Sequence, residues 1–182
     1  DGTMARYKDL LPFAKKHKLK IARIEDLISH RLKTERLIKG ISHKKINIKR
    51  FGNFELKTFK SKLDGAEHYA ITKGRFNPNK ASRVRVVSTN ILDSFFNFNK
   101  DIFKNSLQYL NKFNNFALIL VKGTNSKLSS SENNKILRYY GVGAQIIKEL
   151  KIKKMILVSR SRKRIIALKG YGIKITKQEI IK

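Results

Sequence analysis

A run of six apolar residues, from Phe116 to Val121, constrains the fold of this 182-residue chain most strongly. The run is much shorter than the roughly 20 residues that a membrane-spanning helix requires. A short and continuous apolar run is typical of a buried strand. We therefore expect Phe116 to Val121 to form a strand in the core of a globular protein, and we expect no transmembrane span.

The segments around this run follow an order of strands and helices. Alternating apolar residues predict strands over residues 19–23, 46–51, 54–59, 68–72, 84–88, 155–159 and 172–176. Helical spacing predicts helices over residues 7–17, 25–39, 143–150 and 162–169, and from Asp101 onward, with Gly40 ending the second helix. This order indicates an α+β fold that finishes in βαβ-like units.

The composition limits the chemistry that the chain can carry out. The sequence contains no cysteine, which excludes disulfides and thiolate metal sites. Its four histidines are scattered without a helical i, i+4 pair, which favours solvated or structural roles over metal ligation. The 42 Lys and Arg against 13 Asp and Glu give a formal charge of +29, enough to attract polyanions at low salt. Because the cations are spread along the whole chain, we favour compositional drift over a dedicated nucleic-acid surface.

The first six residues show no basic segment followed by an apolar stretch, so no signal peptide is visible. We therefore expect a cytoplasmic location and no membrane partner.

The N-terminal segment resembles the last part of 3,4-dihydroxy-2-butanone 4-phosphate synthases. The resemblance rests on Asp1-Gly-Thr-Met-Ala-Arg6, with Asp9-Leu10, Phe13-Ala-Lys-Lys-His17, Leu19-Lys-Ile21 and Asp26-Leu-Ile28. It implies that residues 1–36 are a helix-strand-helix remnant of a synthase domain. The catalytic acidic residues of that family would then lie upstream.

The rest of the chain resembles GTP cyclohydrolase II. The matching stretches are Leu63-Asp-Gly-Ala-Glu-His68 with Lys73-Gly74, Val84-Arg-Val86, Tyr140-Gly-Val-Gly-Ala-Gln-Ile146 and Gly170-Tyr-Gly172, in the order of the family. Since the two activities are fused in one polypeptide in this family, the resemblance implies a linker over residues 37–47. It also implies a cyclohydrolase II-like domain over residues 48–182, with a mixed sheet and packed helices.

The resemblance implies that the zinc site of the family is missing. Three cysteines hold zinc in GTP cyclohydrolase II, and their positions fall near Asn90, Lys100 and Ile102. The family also has an Asp-x-Arg motif, and the register set by Tyr140-Gly141 puts Ile136 at the aspartate and Arg138 at the arginine. We therefore expect no zinc, no other cofactor and no catalytic residue.

The loop after the central strand also departs from the family. GTP cyclohydrolase II has a tyrosine and a Glu-Gly-Arg-Gly loop there, whereas this chain continues Lys122-Gly-Thr-Asn-Ser-Lys127. The segment from Ser129 to Asn134 then leads almost directly to the degenerate Asp-x-Arg position. One wall of the nucleotide site is expected to be absent.

Two arginines, Arg85 and Arg138, are retained and are candidates for residual anion or nucleotide binding. The alternative is that both are surface or packing residues, with Arg85 on the solvent face of its strand.

These features lead to one preferred function and two alternatives. We expect a riboflavin biosynthesis protein whose cyclohydrolase-like domain lacks GTP hydrolysis and supports the attached synthase by dimerisation, stability or partner contact. The resemblance implies a homodimer. The first alternative is a basic module that binds a nucleotide such as GTP, a phosphorylated metabolite or RNA, and the second is an active GTP cyclohydrolase II.

Overall fold

The structure, a computed structural model, describes residues 4–22, 26, 30, 34–62, 64–89, 100–123, 132–162 and 171–181. At residues 89, 100, 101 and 132–140 it describes the backbone alone. The helices are α1 (Tyr7–Lys16), α2 (Lys100–Leu110) and α3 (Glu132–Glu149). The strands are β1 (Ile38–Ile48), β2 (Gly52–Ser61), β3 (Glu67–Lys73), β4 (Ser82–Thr89), β5 (Phe116–Lys122), β6 (Lys154–Ser159) and β7 (Lys174–Ile180).

The seven strands form one mixed sheet in the order β1-β2-β3-β5-β4-β6-β7. Neighbouring strands from β1 to β5 are antiparallel, whereas β5, β4, β6 and β7 are parallel. The expected α+β fold with a mixed sheet is confirmed.

Strand β5 lies at the centre of the sheet and contributes to two hydrophobic cores. Phe116 and Leu118 belong to the core on one face of the sheet, and Ala117 and Ile119 belong to the core on the other face. All four side chains are fully buried, because successive residues of a strand point to opposite faces. The prediction of a buried strand at this position is confirmed.

Helices cover both faces of the sheet. Ile146 and Ile147 of α3 are buried in one core, and Leu107 and Leu110 of α2 are buried in the other. Burying a large apolar side chain contributes about 1.5–3 kcal/mol, so these contacts hold the helices on the sheet. The result is a three-layer arrangement.

The N-terminal part of the chain differs from the sequence-based expectation in three places. Residues 19–22 form no strand, and Gly40 lies inside β1 and does not end a helix. The segment over residues 37–47, which we interpreted as a linker, forms most of β1 and pairs with β2. β1 is an edge strand that is exposed over most of its length, so it needs few apolar residues, and its lysines make it look like a linker.

Two predicted helices fall largely outside the described residues. In the segment predicted as a helix from residue 25, the backbone is helical at the described positions Asp26, His30 and Thr34. The helix predicted over residues 162–169 is described only at Arg162. The helix predicted over residues 143–150 is the C-terminal part of the longer α3.

Candidate functional site

Three parallel strands end at the same side of the sheet. Their last residues are Thr89 of β4, Lys122 of β5 and Ser159 of β6. We call the ends of these strands, with Gly123 after β5 and residues 160–162 after β6, the carboxyl edge. Ligands of open α/β sheets bind at such edges, where the loops after the strands meet. The carboxyl edge is therefore the candidate site.

Arg85 lies in the middle of β4, four residues before the carboxyl edge, and is buried, with an exposure of 4%. It shares a face of β4 with Arg83 and Val87, and Val87 packs into the core that contains α2. The interpretation of Arg85 as a solvent-facing residue was wrong. A buried guanidinium is costly unless other groups interact with it, and Arg85 does make such an interaction.

His68 of β3 forms a hydrogen bond to the end of the neighbouring strand β5. It is buried in β3, and its Nδ1 accepts a hydrogen bond of 3.1 Å from the backbone N–H of Lys122. This bond ties the start of β3 to the end of β5. The histidine of the Leu63–His68 motif therefore shapes the rim of the site, and its Nδ1 has no proton when it accepts this bond.

The carboxyl edge is electropositive. Lys122 is half-buried at the end of β5, and Arg160 and Arg162 are exposed just after β6. The Ser159 hydroxyl donates a hydrogen bond of 2.8 Å to the carbonyl of Ser161, which shapes the turn that presents the two arginines. Cations that converge at one edge favour an anionic ligand.

The other residues that the sequence singled out are described only in part. Ile136 and Arg138 lie on α3, but their side chains fall outside the description. Asn90 is also outside it. Lys100 is the first residue of α2, and Ile102 lies in the first turn of that helix, half-buried. Anion or nucleotide binding by Arg138 thus stays a prediction.

The residues that are present do not fit the zinc site of the GTP cyclohydrolase II enzymes that the sequence resembles. The sequence offers no thiolate, and within the described ranges no group of three His, Cys, Asp or Glu side chains could hold a metal ion. No catalytic step through zinc can be derived from this arrangement.

Among the residues that the structure describes, no helix is long and apolar enough to cross a membrane.

Sequence reasoning missed a buried polar network that links β4, β7 and α2. Arg83 of β4 donates two hydrogen bonds to the carboxylate of Glu179 on β7, and the Tyr109 hydroxyl donates a third, of 2.9 Å. Burial alone would raise the pKa of Glu179, but the bonds from Arg83 and Tyr109 lower it below its usual value. The partners are 96 and 70 residues apart, so no local pattern signals the network.

The GTP cyclohydrolase II family model matches residues 39–112 and 104–179. The chain belongs to the GTP cyclohydrolase II family. Among its curated relatives, the riboflavin biosynthesis protein RibBA of Aquifex aeolicus is 32% identical over 100% of this chain and 51% of its own length. The 3,4-dihydroxy-2-butanone 4-phosphate synthase of Photobacterium phosphoreum is 34% identical over 96% of this chain and 52% of its own length.

A solved structure has the same fold. It is that of RibBX from A. baumannii, described as a two domain 3,4-dihydroxy-2-butanone 4-phosphate synthase, and it matches with a TM-score of 0.75 and 29% identity. The match covers 100% of this chain and 52% of RibBX. The chain therefore spans about half the length of the relatives that it matches.

Proposed function

We propose that this chain is the C-terminal part of a riboflavin biosynthesis protein, in which a cyclohydrolase-like domain without GTP hydrolysis supports an attached dihydroxybutanone phosphate synthase. The observation that carries the proposal is the absence of cysteine from a sequence that otherwise belongs to the family. Zinc in that family activates the water that attacks GTP, and the family holds the metal by three cysteines. Without these ligands the domain keeps its fold but has no means of generating the nucleophile.

The replacement of the expected base supports the same conclusion. Ile136 stands where the resemblance puts the aspartate, and an alkyl side chain can neither take a proton nor accept a hydrogen bond. Loss of the base and loss of the metal are independent changes. Restoring one of them would leave the reaction without the other.

The exposed apolar face of α1 supports an attached synthase. Met4, Tyr7 and Phe13 are 82%, 57% and 55% exposed, and Leu10 and Leu11 are also exposed. Contiguous apolar surface of this kind marks an interface. Since this segment resembles the end of the synthase, we propose that α1 packs against the synthase part of the same polypeptide. Relatives that match over nearly the whole chain support this, because the Photobacterium protein and RibBX are both named as synthases.

We further propose that the protein is a homodimer, because the resemblance points to two families of homodimers. A twofold interface would use the same patch on both subunits.

Two measurements on the protein test the proposal. Purified, zinc-supplemented chain is incubated with GTP, and formate and pyrophosphate are assayed beside a cysteine-containing member of the family as positive control. We expect no release above background, and release of both products would overturn the loss of activity.

The supporting role is tested in the polypeptide that includes the synthase part, by deletion of residues 38–182, because β1 begins at Ile38. We expect lower synthase activity or stability, and unchanged activity, stability and oligomeric state would refute the supporting role.

A second candidate function, anion binding, is favoured by the basic carboxyl edge. Lys122, Arg160 and Arg162 lie at or just after the ends of β5 and β6, and Arg85 and Arg138 remain candidates for anion binding. A nucleotide or a phosphorylated metabolite would suit these charges. RNA is a weaker alternative, because the described residues show no dedicated nucleic-acid motif.

A further inference from the structure

The segment just before β1 is bound to α3 by one glutamine side chain. Gln145 Oε1 accepts a hydrogen bond of 2.9 Å from the backbone N–H of Leu37, and its Nε2 donates one of 2.9 Å to the carbonyl of Glu35. Gln145 and Leu37 are both buried, with exposures of 6% and 7%. The single amide thus binds the backbone on both sides of Arg36, as a neighbouring strand would.

An ion pair between Arg36 and Glu149, which is one helical turn after Gln145 on α3, lies beside this amide. Arg36 contacts the carboxylate of Glu149 through Nε and Nη2, at 2.9 Å in each case. The Arg36 side chain is 67% exposed, and exposed ion pairs contribute little because solvent screens them. The buried amide of Gln145, whose partners would lose their hydrogen bonds without it, is therefore the stronger restraint.

The segment that Gln145 binds is the joint between two parts of the chain. On one side lies Thr34, in the part that resembles the synthase, and on the other side lies Ile38, which is fully buried in the core beneath α3. A cavity of about 270 Å³ opens beside the joint and is lined in part by Thr34, Lys148 and Tyr171. Thr34, Glu35 and Arg36 border this cavity, and there the hydrogen bonds to Gln145 hold the backbone of the joint.

We propose that Gln145 is a positioning residue that fixes the joint on α3 and so sets how the synthase part sits on the cyclohydrolase-like fold. The contacts of Gln145 carry the positioning of the joint. The effect on the synthase part rests on the proposed function, because it requires an attached synthase.

The positioning of the joint by Gln145 is tested on the 182-residue chain by amide hydrogen exchange at Leu37. Gln145→Met keeps the size of the side chain but removes both hydrogen bonds, and Gln108→Met is the matched control on an exposed position of α2. We expect exchange at Leu37 to be about tenfold faster in Gln145→Met, the factor for one buried hydrogen bond, and unchanged in Gln108→Met. Unchanged exchange in Gln145→Met would overturn the positioning role.

Two further variants keep the test decisive if Gln145→Met does not fold. In Gln145→Glu the protonated carboxyl group reproduces both bonds, because its carbonyl oxygen accepts from the Leu37 N–H and its hydroxyl donates to the Glu35 carbonyl. At a pH low enough to protonate this group, protection at Leu37 is retained, whereas a loss of protection there would contradict the assignment. Glu149→Gln weakens the ion pair alone, and we expect no change at Leu37. Faster exchange in Glu149→Gln would assign the joint to the ion pair and not to Gln145.

The effect of Gln145 on the synthase part is tested in the polypeptide that includes that part. We expect Gln145→Met to lower synthase kcat/KM while Gln108→Met does not. If deletion of residues 38–182 lowers synthase activity but Gln145→Met has no effect, the supporting role stands and coupling through Gln145 is refuted. If the deletion leaves activity, stability and oligomeric state unchanged, the supporting role itself is refuted, whatever happens at Leu37.

Discussion

Arg83 and Glu179 join the two strands that flank β6, with Nε–Oε2 and Nη2–Oε1 distances of 2.9 and 3.1 Å. The guanidinium also lies over the Phe113 ring, with Cζ 3.4 Å from the ring centroid. Both side chains are mostly buried, with exposures of 24% and 12%. The pair therefore fastens the C-terminal strand to the body of the sheet.

Replacement of Glu179 by Gln keeps the shape of the side chain and removes its charge. Hydrogen bonds to charged groups contribute about 1.5–3 kcal/mol, so we expect a loss of about that size in the free energy of unfolding, measured by urea denaturation near neutral pH. The control is Glu55→Gln, which affects an exposed pair with His43 and is expected to cost less than about 1 kcal/mol. Equal effects of the two changes would contradict a structural role for Arg83–Glu179.

Acid should weaken the same contact. Because the pKa of Glu179 is lowered in the folded protein from its usual 4.5, its contribution to stability is fully present above pH 4.5 and is lost as the pH falls through the folded value. We expect the stability difference between the wild type and Glu179→Gln to shrink below pH 4.5. A difference that stayed constant across this range would show that the pKa of Glu179 is not lowered in the folded protein.

Gly74 occupies a position that no other residue fits. Its φ of +77° lies in the left-handed region, and a Cβ added there would overlap the backbone carbonyl oxygen of Asn114. We expect Gly74→Ala to lower the free energy of unfolding by more than about 2 kcal/mol, because strain and overlap add. The control is Gly65→Ala, with a φ of +68° and the flexible end of Lys60 as the nearest atom at 3.8 Å. It is expected to cost about 1–2 kcal/mol from backbone strain alone.

Tyr171 is expected to limit stability in alkali. Burial raises its pKa from 10.0 to about 12, so the neutral phenol stabilises the fold fully below pH 10, and this contribution is lost as the pH rises from 10 towards 12. Tyr171→Phe has no proton to lose and should retain more of its stability over that interval. The control is Tyr7→Phe, which removes the hydroxyl at a position that is 57% exposed, and the stability of both variants is followed by urea denaturation as the pH rises.

Anion binding at the carboxyl edge should depend on its exposed arginines. We expect the double change Arg160→Ala and Arg162→Ala to weaken binding of inorganic phosphate or GTP about tenfold or more, since charge-assisted bonds are lost. The matched control, Lys44→Ala with Lys45→Ala on β1, removes the same charge from the other end of the sheet. Equal losses in both variants, with a steep dependence on salt, would indicate general attraction of anions and not a site.

Much of the central fold could be predicted from the sequence because burial leaves a local pattern. The apolar run of β5 and the Gly-Val-Gly stretch of α3 both identify their elements. A glycine is required at position 143 because α3 packs closely on β4 there, and a Cβ would lie 3.3 Å from Val86 Cγ1. β1 was missed because an exposed edge strand has no apolar alternation. Arg83–Glu179 and the contacts of Gln145 were missed because they join residues that lie far apart in the chain.

For the candidate site, the sequence predicted only which catalytic and metal-binding residues of the family are missing. The absence of cysteine is a property of the composition and can be read directly from the sequence. The burial of Arg85 was not predictable, since an arginine in a strand is usually placed on the solvent side. Its position depends on α2, which covers that face of the sheet.

The alternation of β5 between two cores has a consequence for how such a protein can change. A shift of one residue along this strand would exchange the side chains of both cores at once, so packing fixes the strand from two sides. Residues that lie outside the two cores, such as the exposed Arg160 and Arg162 after β6, take no part in that constraint. Functional groups at such positions can therefore be replaced one after another while the molecule keeps its shape, and the same scaffold stays open to a new ligand.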